Sequence, residues 1–368
     1  MEVCCIFNLA AHYRAPIYKL MDKEMDCHFF IGDKVNTPIK KMNYSLLSGY
    51  KKQLKNIYFG KHFYWQKGAV SLLFKPYNQY IITGELYCIS TWIILLLSKI
   101  LNKKTYLWTH GWYGRENFMK KIIKKCFFKL SSHVLLYGEY AKNIMIKEGF
   151  NPKKLHCIAN SLDYDQQLLI RNKLFKTTIY KDYFKNDYPT IIYVGRIQLV
   201  KRIDLLIDAL AILHKKGLIL NLAIVGDTIE SEEIIKLIAN YKLNNFVWIY
   251  GPCYDEKILG ELFYNASVCI SPGNVGLTAI HAFSYGCPVI THNNFKNQMP
   301  EFEIIEENIN GLFFEENNIH DLVDKIFIWF KEEKYLNINK LKESCFHKID
   351  TKYNPYSQIR TLKQVLNQ

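Results

Sequence analysis

No two of the ten cysteines stand in a C-x-x-C pair, and Cys4 and Cys5 are adjacent inside an apparent strand. That spacing argues against a thiolate metal site or a disulfide framework and for buried thiols in a reducing compartment. Neither G-x-G-x-x-G nor G-x-x-x-x-G-K-[ST] occurs, so the dinucleotide fingerprint and the P-loop are both unsupported. The most apolar stretch, residues 81–101, is interrupted by Glu85, Ser90, Thr91 and Ser98, which leaves too short a run to span a bilayer. Met1 leads straight into a strand-like Val3–Phe7, so no signal peptide is expected. A recognisable nucleic-acid-binding module is missing too. The first half is also poor in acid. Residues 1–180 hold 28 Lys and Arg against 11 Asp and Glu, whereas residues 181–368 hold 20 against 23.

What remains is a globular chain. Its 368 residues suit two domains, and 49% hydrophobic with 15% aromatic content indicates packed cores. The basic first half suggests an anionic partner, with nucleic acid and anionic lipid headgroups as the candidates. General enrichment in Lys, Asn and Ile is a third source of that charge.

Short β-branched and aromatic runs alternate with helical periodicity. Strands are expected at Val3–Asn8, Cys27–Ile31, Gln79–Thr83, Thr105–Trp108, His133–Tyr137 and Leu155–Ile158. Helices are expected through Ile17, Leu20 and Met21, and over Trp92–Ile100, Phe118–Leu130 and Tyr140–Lys147. Residues 34–76 give no clear pattern. Residues 168–188 are polar without period and read as an arm or linker. Beyond them, strands are expected at Thr190–Val194, Asn221–Val225, Phe246–Tyr250, Val268–Ser271 and Val289–Thr291. The helices expected between and after these lie over Glu232–Tyr241, Glu256–Tyr264, Leu277–Tyr285, Asp321–Phe330 and Tyr356–Leu366. Such β-α alternation points to doubly wound sheets.

Residues 190–210 organise the chain. The strand Thr190–Val194 is broken by Gly195, and Ile203, Leu206, Ile207, Leu210 and Leu213 then recur on one helical face. The turn between them holds Arg196 and Lys201. Loops leaving the carboxyl ends of parallel strands line the ligand crevice, and two cations near a helix N-terminus there suit a diphosphate. Solvated loop charges are the alternative.

This stretch resembles the opening of the second domain in retaining nucleotide-sugar glycosyltransferases of the GT-B fold (family 4-like, glycosyl transferases group 1). That family has strand-Gly-Arg, a short loop and a Lys at the helix start. Leu222–Asp227, Gly276-Leu277 with Ala282, Gly286 and Pro288-Val289-Ile290, and Asn310–Phe314 follow in the family's order. The resemblance implies two Rossmann-like doubly wound α/β domains facing across a cleft. They would be an acceptor-side domain at 1–170, a linker at 171–188, a nucleotide-sugar domain at 189–350 and a C-terminal helix at 351–368 crossing back. It also implies Arg196 and Lys201 on the donor diphosphate, with Gly195, Gly226, Gly251, Gly273, Gly276, Leu277, Thr278 and His281 around the donor. His110, in Thr109-His110-Gly111, falls where the family places a histidine close to the transferred sugar. Asn160-Ser161-Leu162-Asp163 is similar to the family's Asn-Gly-Val-Asp. Arg14 and Glu85, at strand ends, are acceptor-side candidates.

One departure matters. The family carries two glutamates eight residues apart, one on the sugar and one on the ribose; here those positions are Gly273 and His281. Glu301 and Glu303 lie just beyond and could approach the same pocket. Asp163-Tyr164-Asp165 is formally a D-x-D, but the Arg196–Lys201 pair already offers a metal-free clamp, so no metal or cofactor is expected. Phe118–Leu130 alternates Lys pairs with apolar pairs. It reads either as a helix lying on an anionic membrane or as a surface helix packed by its apolar face.

The expected activity is transfer of a sugar from a nucleoside-diphosphate sugar to a glycan or lipid-linked glycan, with retention, in surface polysaccharide or lipopolysaccharide synthesis. The expected location is the cytoplasm, peripherally on the inner face of the membrane. Two rivals are a decayed glycan- or nucleotide-binding protein of the same fold and a nucleic-acid-binding protein. The sequence leaves the base, sugar, linkage, acceptor and oligomeric state open.

Overall fold

A computed structural model of the chain describes residues 2–36, 39–227, 232–332, 335 and 337–367. Two compact units divide it, residues 1–163 with 354–368, and residues 164–353.

The first unit carries β1 (Val3–Phe7), α1 (Ala15–Glu24), β2 (Cys27–Gly32), β3 (Tyr50–Phe59), β4 (Phe63–Lys67) and β5 (Gln79–Thr83). There follow α2 (Ile89–Ile100), β6 (Lys104–Thr109), α3 (Phe118–Leu130), β7 (His133–Leu136), α4 (Glu139–Lys147) and β8 (Leu155–Cys157). The sheet order is β4-β3-β2-β1-β5-β6-β7-β8, parallel except for β4. Strand alternation divides β1 between two cores: Val3, Cys5 and Phe7 pack on one face, Cys4 and Ile6 on the other. A sheet buried on both sides needs helices on both, which is why its strands read as continuous apolar runs.

The second unit opens with α5 (Tyr164–Arg171) and α6 (Ile179–Phe184). Its strands are β9 (Thr190–Val194), β10 (Asn221–Val225), β11 (Val247–Gly251), β12 (Val268–Ser271), β13 (Val289–His292) and β14 (Gly311–Phe314). Between and after them come α7 (Ile203–Lys215), α8 (Glu232–Asn240), α9 (Glu256–Asn265), α10 (Thr278–Ser284), α11 (Ile319–Lys331) and α12 (Ile338–Thr351). The order is β11-β10-β9-β12-β13-β14, all parallel. The chain returns to the first unit as α13 (Pro355–Leu366), whose Ile359, Leu362 and Val365 join the core of α1 and β1. Asparagine side chains cap α3, α11, α12 and α13, each accepting the backbone N–H three residues on.

Three expectations change. The segment expected as a linker, 171–188, contains α6, whose Tyr180 and Phe184 are buried, and the Tyr180 hydroxyl donates to the Leu262 carbonyl. Its polar residues simply cover a short helix on the second unit. Residues 34–76 contain the β3–β4 hairpin, whose strands are largely exposed and so lack a core signature. In α3 the faces differ from the lysine-apolar division. Lys124 is buried with Phe127 and Phe128, while Phe118, Met119, Ile122 and Ile123 face solvent.

Candidate functional site

In an open parallel sheet the ligand crevice lies outside the strand carboxyl ends where the strand order reverses. In the second unit that point falls between β9 and β12. The two loops there are Gly195–Arg202 and Pro272–Leu277, and they are knitted together. The Gly273 N–H donates to the Lys201 carbonyl at 3.0 Å. The Thr278 hydroxyl donates to the Val194 carbonyl at 3.0 Å. The Lys201 ammonium donates to the Asn274 carbonyl at 2.6 Å and to its side-chain oxygen at 2.5 Å. Gly195, at φ +154, ends β9, and a Cβ at Gly226 would lie 1.8 Å from the Gly195 carbonyl oxygen. Only glycine permits that approach.

Two cations thus occupy this crevice. Arg196 is exposed, and Lys201 is partly buried on the 3-10 turn Leu199–Lys201. Burial, and then the Arg196 charge, lower the Lys201 ammonium, Glu301 opposes both, and the net position is about 8. Glu301 is buried in the 3-10 turn Pro300–Ile304, so it is not the solvent-facing carboxylate that its loop position suggests. Its effect on Lys201 places its charge near the clamp. Glu303 is only partly buried.

The structure brings Gly195, Arg196, Lys201, Gly226, Gly273, Gly276, Leu277 and Thr278 to these loops. Gly251, at φ +85, ends the neighbouring β11, and its carbonyl accepts the Gly226 N–H. His281 is different. Its Nε2 lies 2.9 Å from Glu256 Oε1 on α9, and its ring packs against Phe263 and Tyr285. Burial would raise the Glu256 carboxyl. Hydrogen bonds from His281, Gln167 and Tyr285, together with the His281 charge, outweigh burial and hold it down at about 2. Nor can Gly273 simply be replaced by a carboxylate, because a Cβ there would sit 2.2 Å from the Val200 carbonyl oxygen. The helix after the loop, α10, has seven residues, so the two cations rather than a helix dipole dominate the local charge.

In the first unit the strand order reverses between β1 and β5. A cavity of about 510 Å³ opens at their carboxyl ends, with Asn8, Arg14, Glu85, Trp108, His110 and Tyr137 in its lining. Glu85 accepts from Asn8 Nδ2 at 2.8 Å and from the Tyr64 hydroxyl at 2.7 Å. Arg14 donates to the Tyr137 hydroxyl and stacks over the Trp108 and Tyr137 rings. His110 lies 4.8 Å, ring to ring, from Tyr137. Burial, with Arg14 and Lys124 nearby, lowers it to about 4, so its imidazole is neutral near pH 7.

An ion pair that the sequence pattern did not reveal holds the loop after His110. Lys124 Nζ reaches Glu116 Oε1 at 2.6 Å and the Gly111 carbonyl at 2.7 Å, while Glu116 accepts the Tyr113 and Gly114 N–H groups. Both side chains are nearly inaccessible, at 8% and 2%. Asn274 and Glu256 are the others that the sequence pattern does not mark. Each acts through a contact distant in sequence, so no local spacing marks it. Among the described residues, no group of three or more His, Cys, Asp or Glu is placed to hold a metal ion. No helix among them is long and apolar enough to cross a membrane.

Comparison with known proteins bears on the second unit first. Residues 175–343 match the family model described as "Glycosyl transferases group 1". Poly(ribitol-phosphate) alpha-N-acetylglucosaminyltransferase of Staphylococcus aureus (strain COL) is 30% identical over 135 residues, 36% of this chain and 27% of that protein. Amylovoran biosynthesis glycosyltransferase AmsD of Erwinia amylovora is 26% identical over 201 residues, 53% of this chain and 54% of that protein. The chain therefore spans from about a quarter to about half the length of these two relatives. The crystal structure of Anabaena HepE in complex with UDP matches over 100% of both chains with a TM-score of 0.73, at 14% identity, a likeness of fold. Residues 175–343 are thus similar to the Glycosyl transferases group 1 model, and the two units have the α/β fold seen in structural neighbours of the GT-B type.

Proposed function

We propose that the protein transfers a sugar from a nucleoside-diphosphate sugar to a glycan or lipid-linked glycan acceptor, with retention and without a metal ion. The observation that carries this reading is the β9–β12 crevice, where Arg196 and Lys201 converge on backbone-lined loops. Breaking the anomeric bond leaves negative charge on the diphosphate and oxocarbenium character on the sugar. Fixed cations stabilise that charge without reorganising at the moment of reaction. Arg196 offers a planar fork and Lys201 a point charge that a phosphate oxygen would receive in place of Asn274. The retaining outcome, with the acceptor hydroxyl attacking from the side the diphosphate leaves, follows from the family resemblance.

His110, neutral and beside Tyr137, is suited to accept or donate one hydrogen bond to a sugar hydroxyl. It would not serve as a cation. Glu85 and Arg14 in the same cavity suit the hydroxyls of an acceptor. The relatives' names, in ribitol-phosphate polymer glycosylation and amylovoran biosynthesis, support a polymer as acceptor. A thermal-shift panel of nucleotide sugars tests the reading, with UDP-sugars first because HepE binds UDP. A productive donor should raise the melting temperature and support transfer in excess EDTA. A second reading, a binding protein with a decayed site, is favoured by His281 being tied to Glu256 and by the lack of room at Gly273. Donor binding without transfer or hydrolysis would select it.

A further inference from the structure

We propose that α2 and α3 of the first unit form a docking face for an anionic lipid bilayer. This surface shares no residue with either crevice, so its failure would leave the donor reading intact. It starts from α3, where Phe118 is 76% exposed and Met119 64%, with Ile122 and Ile123 also exposed. At roughly 100° per residue these four share one arc, opposite the arc of Lys124, Phe127 and Phe128 that packs inward. They therefore point away from the sheet. Lys125 borders that arc on one side, Lys129 falls within it near the helix C-terminus, and Lys120 is exposed in the first turn. This is the arrangement of a helix whose apolar residues enter the acyl boundary while lysines reach back to headgroups.

The surface extends beyond one helix. α2 packs beside α3, the Trp92 ring lying 4.9 Å from Phe127 and Lys99 Nζ reaching the Lys129 carbonyl at 3.4 Å. Its exposed apolar residues include Leu96 and Ile100. The 3-10 helix Val70–Phe74 packs on α2 and adds Phe74, 72% exposed. Charge decides the occupant. Residues 70–77, 89–104 and 117–130 contain no Asp or Glu, against nine lysines of which only Lys124 is buried. One neighbouring carboxylate, Glu148, pairs with Lys121. A second copy of this chain would bring like charge against like charge. An anionic leaflet supplies both the apolar phase and the counter-charge.

The test is co-sedimentation of the full chain with phosphatidylcholine vesicles, with and without phosphatidylglycerol. Binding should require phosphatidylglycerol and weaken as salt shortens the screening length from about 8 Å. Phe118→Ser with Ile122→Ser should lower partitioning about tenfold or more, with the melting temperature and nucleoside diphosphate affinity unchanged. Lys125→Glu with Lys129→Glu should do likewise on anionic vesicles. Equal binding to neutral vesicles, no binding to anionic ones, or unchanged binding by both variants would overturn the proposal. So would a wild-type dimer that the serine variant dissolves, which would make the face a protein interface.

Discussion

Raising the pH from about 7 to about 9 should weaken nucleoside diphosphate binding about tenfold, because Lys201 loses its proton in that window. Its ammonium is lowered from the usual 10.5 to about 8 by burial and by Arg196. The protonated fraction then falls from about nine-tenths to about one-tenth, roughly 1.4 kcal/mol of binding free energy if only the cation holds phosphate. The sign for stability is opposite. Between about 8 and 10.5 the unfolded chain keeps a proton that the folded one has released, so this group adds stability as pH rises. Below 8 its full cost is present. Calorimetric titration in buffers of different ionisation enthalpy reads both affinity and proton uptake, and uptake should appear as pH passes 8. The terminal ionisation of the diphosphate itself lies near 6 and is over by then. Lys201→Met should bind weakly and without this pH dependence. Arg196→Ala should move the break upward, since Arg196 lowers Lys201. Flat wild-type affinity across the window, with no proton uptake, would refute the reasoning.

Removing the His110 imidazole with His110→Ala should cut single-turnover transfer strongly and leave nucleoside diphosphate affinity nearly unchanged, because a contact to the reacting sugar matters most in the transition state. Lost affinity with a lowered melting temperature would make it a folding residue instead. Glu116→Ala strands Lys124 as a buried charge and should destabilise the first unit by about 3–5 kcal/mol, read as an earlier denaturant transition. A wild-type transition would show that the pair carries no weight.

Most strands of both sheets are legible because parallel strands buried on two faces are short, apolar and β-branched, and because glycines mark many of their ends. The Arg196–Lys201 turn was legible for the same reason, since a strand, a break and a helical period bracket it within twenty residues. What escaped is governed by exposure or by distance along the chain. The β3–β4 hairpin turns much of its side-chain set to solvent, so no core pattern marks it. The short α6 buries two aromatic residues within a polar stretch. α3 misled because one lysine of its pairs, Lys124, is buried against a carboxylate eight residues earlier. His281 reads as a replacement for a donor-binding glutamate, yet its partner Glu256 lies on another helix. Gly273 reads as a missing carboxylate, and the close approach of the Val200 carbonyl shows why the loop holds none.

The β9–β12 crevice is proposed to bind the donor diphosphate. A crystal structure with bound nucleoside diphosphate tests it most directly. Both phosphates should lie between Arg196 and Lys201, with the Lys201 ammonium about 3 Å from a phosphate oxygen. A fully occupied diphosphate elsewhere, with Lys201 still on Asn274, would contradict it.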